Sequence, residues 1–227
     1  MKILGIDTAT DVLAIAITDD KILITEYRSN IRRAHAEKLI NAIDQVLSDA
    51  NLKLSDVAVI AVGTGPGSFT GLRIGIAAVK GLAFAANLPV VSVSSLDAFA
   101  LQAGLYSSQI CPLVKAQGDE AYTALYYAEQ GNVARKTDYQ IIALDQLERF
   151  ITQKTLIINV GMKNLSGFIT EKLEHFIEIA PPANCLASGY LISLLGYEKF
   201  LNNELENIDK LEPFYLKDFK AKKSGGI

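Results

Sequence analysis

The amino-acid sequence predicts an α/β protein of two lobes, each a mixed sheet flanked by helices. Two observations carry this. β-rich and helical patterns alternate in the order βββαβαβα through residues 1–104, and a looser version of the series returns over 105–227. Half of the 227 residues are hydrophobic and 21% are charged, which excludes a disordered or fibrous chain. So much apolar surface calls for a fully buried parallel sheet, a partner, or both.

The first lobe opens on three β-rich runs, Lys2–Thr8, Val12–Thr18 and Ile22–Tyr27. Asp19-Asp20 reads as a tight turn, so the last two runs pair antiparallel. A helix follows from His35 to Ala50, where Leu39, Ile43, Val46 and Ala50 recur at spacings of four and three. Val57–Val62 is a continuous apolar strand of the buried kind. The Gly-rich turn Gly63–Gly67 then leads into a helix from Phe69 to Ala86. Asn87-Leu88-Pro89 stops that helix, Pro89–Val93 returns as a strand, and Ser94 or Ser95 caps a helix over Leu96–Ala103.

The second lobe reads as strands Ile110–Ala116, Ala121–Tyr127 and Tyr139–Ala143, then a helix near Asp145–Thr152. Strand Leu156–Val160, a short helix near Leu165–Leu173, strand Phe176–Ile179 and a helix from Ala183 to Phe200 complete it. The boundary falls near Gly104–Ser108. Two βββαβα units joined by a crossing helix form the actin-like architecture of sugar kinases and Hsp70 proteins.

Charge and cysteine usage narrow the function. A net charge of −3 does not mark a stand-alone nucleic-acid binder. Lys217, Lys220, Lys222 and Lys223 in the tail read either as a solvated terminus or as a phosphate-contacting arm. Cys111 and Cys185 are too far apart in sequence to suggest a disulfide framework, and the N-terminus MKILGIDTAT enters a strand without a leader. A cytoplasmic protein is the expectation. The longest apolar region, Phe69–Val93, is interrupted by Arg73, Lys80 and Pro89, so no membrane span is expected.

The stretch with most chemical content is Gly63-Thr64-Gly65-Pro66-Gly67-Ser68-Phe69-Thr70-Gly71-Leu72-Arg73. A Gly-rich turn between a buried strand and a helix can present free N–H groups to an anion. It matches neither a P-loop, which needs Gly-Lys, nor a dinucleotide fingerprint, whose third glycine is Ser68 or Thr70 here. The glycines equally suit a tight turn and close helix packing. Asp7, Thr8, Gly65, Gly67 and Ser68 are therefore candidates for a degenerate nucleotide or anion cleft, with Asp7 alternatively capping its own turn. No GxSxG elbow is present. His35 and His175 are the only histidines, and no metal site is expected.

GTGPGSFTGLRIGIAAVKGLA closely resembles the signature of the TsaB (YeaZ) family, whose members make threonylcarbamoyladenosine in tRNA. Gly5–Thr10 (GIDTAT), the Leu88–Asp97 run and Leu211–Lys217 (LEPFYLK) resemble further motifs of that family. The resemblance implies the actin-like fold and a non-catalytic scaffold. It would act with the catalytic subunit TsaD and the ATPase TsaE in attaching a threonylcarbamoyl group to N6 of the adenosine after the anticodon. It also implies a homodimer when the chain is alone, tRNA met only through the complex, and ATP and magnesium belonging to the wider complex, with no cofactor held tightly by this chain. TsaD binds metal through His-x-x-x-His; here His35 is followed by Leu39. The Asp-x-Gly of actin-like ATPases is Asp7-Thr8-Ala9, and the family's Asp-Ala-Arg is Lys115-Ala116-Gln117. The alternative is an autonomous ATPase or glycoprotease-like peptidase, with Asp7, Asp119 and Gly63–Gly67 forming a magnesium-nucleotide cleft.

On the Phe69–Ala86 helix, Leu72, Ile76, Val79 and Ala83 form a sheet-facing stripe, and Gly71, Gly75, Ala78 and Leu82 a second one. Glycine inside a helix costs about 0.5–1 kcal/mol against Ala, so these glycines serve close packing, either within the chain or with another. The resemblance favours the second. It places His35, Leu39, Gly71, Leu72, Gly75, Ala78 and Leu82 in a shared dimer and TsaD face on lobe 1–104. Lobe 105–227 is then a reduced second lobe with a basic tail. On this expectation Gly75→Leu yields a folded monomer that no longer captures TsaD.

Overall fold

The computed structural model describes residues 1–31, 35–103, 106, 109–129 and 132–216. The tail lysines and most of the 104–108 boundary lie outside them. The first sheet comprises β1 (Lys2–Asp7), β2 (Leu13–Asp19), β3 (Ile22–Ser29), β4 (Val59–Gly65) and β5 (Val90–Ser94), in the order β3-β2-β1-β4-β5. β1, β2 and β3 pair antiparallel; β1, β4 and β5 pair parallel. Alternation along β1 sends Leu4 and Ile6 to one face and Ile3 and Gly5 to the other. On the first face lie α1 (His35–Asp49) and α2 (Phe69–Ala86), whose Leu39, Ile43, Val46, Ile76, Val79 and Ala83 meet Leu4, Ile6 and Ile15. α2 has the length and composition of a membrane span, but this buried stripe faces the sheet.

The second sheet holds β6 (Gln109–Lys115), β7 (Glu120–Thr123), β8 (Tyr126–Glu129), β9 (Asn132–Arg135), β10 (Gln140–Ala143), β11 (Thr155–Val160) and β12 (Ile177–Ile179). Its path is β10-β7-β6-β11-β12, with β8 pairing β6 and β9. Between the sheets, α3 (Ser95–Leu101) contributes Leu96, Phe99 and Ala100 to a core shared with Ile110, Val114, Tyr126 and Ile158. The short α4 (Leu147–Phe150) and α5 (Glu171–Glu174) cover the outer face.

Where elements differ from the sequence reading, local chemistry explains the change. The strand expected over Ala121–Tyr127 breaks into β7 and β8 because Leu125 N–H donates to Thr137 Oγ1 at 2.9 Å and its carbonyl accepts from Lys136 at 2.7 Å. β9 is polar and mostly exposed, so its periodicity is weak. Gly63–Gly65 continue β4 instead of turning. The closing helix α6 (Gly189–Leu201) starts six residues later than expected, where Ser188 Oγ accepts from Leu191 N–H; Pro182–Cys185 form a separate single turn.

α6 comes from the second half of the chain yet packs on the first sheet, bringing Ile192 against Ile3, Val59, Ala61 and Val91. Its start is fixed by Glu26 of β3, which accepts from Ser188 Oγ (2.8 Å) and Tyr190 N–H (3.1 Å) while pairing Arg28 at 2.8 Å. Its approach is as close as backbones permit: a methyl group on Gly5 would overlap the Gly189 carbonyl and Ser193 Oγ. Gly5→Ala should therefore destabilise the fold by about 2–4 kcal/mol, lowering Tm by about 4–16 °C. Gly81→Ala, where an added methyl meets nothing within 4 Å, should instead stabilise by about 0.5–1 kcal/mol. Thermal and urea unfolding of both variants check the pair.

Candidate functional site

The Gly-rich segment and the β1–β2 turn are built as one unit. Ser68 N–H donates to Ala9 O at 2.7 Å, and Ser68 Oγ caps α2 by accepting from Gly71 N–H at 3.2 Å. A methyl group on Gly67 would overlap the Ala9 carbonyl, one on Gly71 the Thr8 carbonyl, and one on Gly75 Thr8 Oγ1. Gly65, with φ +108°, lies beneath Leu72 and the Phe214 carbonyl. The turn's amides and glycines thus bind the chain to itself.

Asp7 sits under this unit at 1% exposure, its Oδ1 accepting from Ala9 N–H at 2.7 Å. Burial pushes its carboxyl up to about 6; the Ala9 N–H and the neighbouring Ser95 hydroxyl oppose the rise. A carboxyl sealed from solvent and bonded to its own turn does not fit a hydrated magnesium ion, which needs exposed oxygen ligands and room for water. Of the five residues proposed for the degenerate cleft, only Ser68 lines the crevice between the sheets. That crevice has a volume of about 780 Å³ and is also walled by Thr10, Val12, Lys115, Asn159, Met162 and Lys163.

The predicted partner face needs correction. His35, Leu39, Gly71, Leu72 and Gly75 are all buried within the chain. Leu39 packs into the first core, and the two glycines admit Thr8 instead of a second helix. Ala78 and Leu82 are half-buried against the same core. Gly75→Leu would collide internally and is no clean test of an interface. What α1 and α2, which lie side by side, leave outside is different: Ile40 at 46% exposure, Phe84 at 85%, and the exposed Ala77, Gly81 and Ala85. Sequence reasoning passed over Phe84 because it lies off both stripes; a phenylalanine on the outer arc of an amphipathic helix was the available signal.

The polar edge of α2 holds the C-terminal segment. Arg73 stacks 3.9 Å from the Phe69 ring and donates to Tyr215 Oη at 3.1 Å, while Lys80 Nζ donates to Asp209 O at 3.1 Å. Phe214 N–H donates to Thr64 O, and its ring meets Tyr139 edge-on. Asp97 ties α3 to the second sheet by accepting from Tyr126 Oη at 2.7 Å and Tyr139 Oη at 2.8 Å.

A model of the family described as TsaD, tRNA N6-adenosine threonylcarbamoyltransferase, matches residues 22–224. The tRNA threonylcarbamoyladenosine biosynthesis protein TsaB of Bacillus subtilis (strain 168) is 33% identical over 222 residues, covering 96% of this chain and 94% of its own. The chain belongs to the TsaB family. The TsaB protein of Escherichia coli (strain K12) is 30% identical, over 74% of this chain and 68% of its own. The structure of YeaZ from Pseudomonas aeruginosa superposes with a TM-score of 0.79 at 26% identity, covering 95% of this chain and 99% of that one. EutJ from Carboxydothermus hydrogenoformans, at TM-score 0.51 and 14% identity over 86% of this chain and 90% of its own, shares the fold alone. The fold is actin-like, as the repeated element order predicted.

In this TsaB-family chain the buried carboxyl makes a pH prediction. Asp7 has a raised folded value of about 6 against 3.8 for the free group, so from about pH 4 to 6 the folded state holds a proton the unfolded state has lost. Stability from this group falls as pH rises through that window. Asp7→Asn should therefore gain stability relative to the parent between about pH 4 and 6, approaching about 3 kcal/mol above it. Urea denaturation of both proteins across pH 4–7 measures the difference.

Proposed function

We propose that this chain is an accessory subunit needed to form the threonylcarbamoyl group on N6 of the adenosine following the anticodon. It works in the cytoplasm with TsaD and TsaE and carries none of the transfer chemistry. Family membership supports the pathway. The observation that carries the accessory role is the sealed Asp7, which cannot serve a nucleotide-bound metal while the β1–β2 turn stays closed over it. Leu39, four residues after His35 where the family resemblance implies the second histidine of a His-x-x-x-His pair, is a core residue, which also fits a non-catalytic subunit. ATP and magnesium then belong to the wider complex, and tRNA is reached through it.

The partner face is the outer arc of α1 and α2, centred on Phe84 with Ile40, Ala77, Gly81 and Ala85. Phe84 is the most exposed large apolar residue described, and exposed aromatic anchors of this kind dominate interfaces. Gly81 lies on this arc with open space beside it and would let a partner helix approach closely. One arc serves both the homodimer and TsaD, so the two associations compete.

Purified TsaD and TsaE should modify tRNA only when this chain is added, and the chain alone should yield no product. Phe84→Asp and Gly81→Leu should keep the parental fold, because both side chains point into solvent, yet weaken TsaD binding by about 2 kcal/mol or more, roughly thirtyfold. Product from the isolated chain, or full activity from both folded variants, would contradict this function.

A further inference from the structure

A smaller cavity, of about 390 Å³, shares no lining residue with the crevice between the sheets, and the accessory role leaves it unused. The last residues of the paired strands β4 and β5 supply one wall, with Thr64, Ser92 and Ser94. The chain between residues 199 and 214 supplies another, and Tyr139 of the second lobe completes the lining. That returning segment is moored along its length. Glu206 N–H donates to Val90 O and Phe214 N–H to Thr64 O, both at 2.8 Å, while Lys80 Nζ holds Asp209 O at 3.1 Å. Lys210 and Glu212 are thereby carried on fixed backbone.

The lining sets Asp97, Glu206 and Glu212 against Lys199 and Lys210. Two of these charges are already served. Asp97 accepts from the phenols of Tyr126 and Tyr139, and Lys199 pairs with Glu204 at 3.0 Å. Glu206 Oε1 accepts from Ser92 Oγ, which leaves Oε2 to take another donor. Among the described residues no salt bridge engages Glu206, Lys210 or Glu212. Thr64, only 8% exposed, donates to Val93 O at 3.3 Å and keeps its lone pairs to accept. Leu211, Pro213 and Phe214 add apolar surface. An unpaired ammonium and unpaired carboxylates thus converge on one concave surface that also offers hydroxyls and an apolar wall.

This balance of charge selects the ligand. A simple anion would face the free carboxylates of Glu206 and Glu212, and a polyamine would set like charge against Lys210. A molecule with one ammonium and one carboxylate satisfies both sides by charge-assisted hydrogen bonds. We propose that this cavity binds a small zwitterion of the free α-amino acid class, its carboxylate on Lys210 and its ammonium on Glu206 and Glu212. The hydroxyls of Thr64, Ser92 and Ser94 suit a side chain that carries a hydroxyl of its own. The volume of about 390 Å³ lies within the usual range for small-ligand sites. None of the lining residues belongs to the α1–α2 arc, so the site stands or falls independently of the accessory role.

Calorimetric titration of the isolated full chain with L-threonine tests it, beside two analogues of single charge. N-acetyl-L-threonine lacks the ammonium, and L-threonine methyl ester lacks the carboxylate. L-Threonine should bind with a dissociation constant on the order of 0.1–1 mM, and each analogue about tenfold more weakly or worse. Lys210→Gln and Glu212→Gln, both at exposed positions, should each weaken L-threonine about tenfold without shifting the melting temperature of the free protein. Lys53→Gln, outside the cavity, should leave binding at the parental value. Absence of binding, an analogue that binds as well as L-threonine, or binding that both cavity substitutions leave intact would overturn the proposal. So would spermidine binding that Glu212→Gln abolishes while L-threonine fails to bind, since that assigns the carboxylates to a polycation.

Discussion

The backbone of the β1–β2 turn lies closer to the start of α2 than any side chain would permit, and much of the molecule follows from that approach. The Thr8 and Ala9 carbonyls occupy the space where Gly67 and Gly71 would carry methyl groups, and Thr8 Oγ1 does the same at Gly75. Packing this tight locks the turn over Asp7 and leaves its carboxyl bonded to Ala9 N–H. It also settles what the glycines of α2 do. Gly71 and Gly75, with Gly67 just before the helix, make an intramolecular seam, and Gly81 alone of the helix's glycines faces open space.

The same close-packing logic recurs where α6 crosses the first sheet. Gly5 and Gly189 meet backbone to backbone, and the Glu26 carboxylate, only 13% exposed on its side chain, gathers Ser188, Tyr190 and Arg28 at the start of α6. A buried carboxylate of this kind is tolerated because its partners are all supplied. Asp97 repeats the arrangement between the sheets. Burial, reinforced by the Asp97 carboxylate that accepts from both phenols, pushes Tyr139 up to about 12 and Tyr126 above its ordinary value, so both stay protonated donors.

Element order, the limits of α2 and the sheet-facing stripe of Leu72, Ile76, Val79 and Ala83 were legible because periodicity reports burial directly. The second small-residue stripe was legible as a packing surface but not as to its partner. A glycine row has the same pattern whether a turn of its own chain or another protein's helix fills it. Residues Thr8 and Gly75 are 67 positions apart, and only the fold brings them together. For Asp7 the capping of its own turn was legible in the sequence, but its burial depends on Ser95 and the Gly63 backbone, both distant in sequence.

The central claim is that the inner arc of α2 is closed within the chain and the outer arc is what a partner meets. Hydrogen–deuterium exchange of the chain alone and with TsaD reads both arcs at once. The account predicts new protection in peptides spanning 77–86 of α2 and the Ile40 turn of α1, with 67–75 slow to exchange in both samples. Protection gained at 67–75, with 77–86 unchanged, would contradict it.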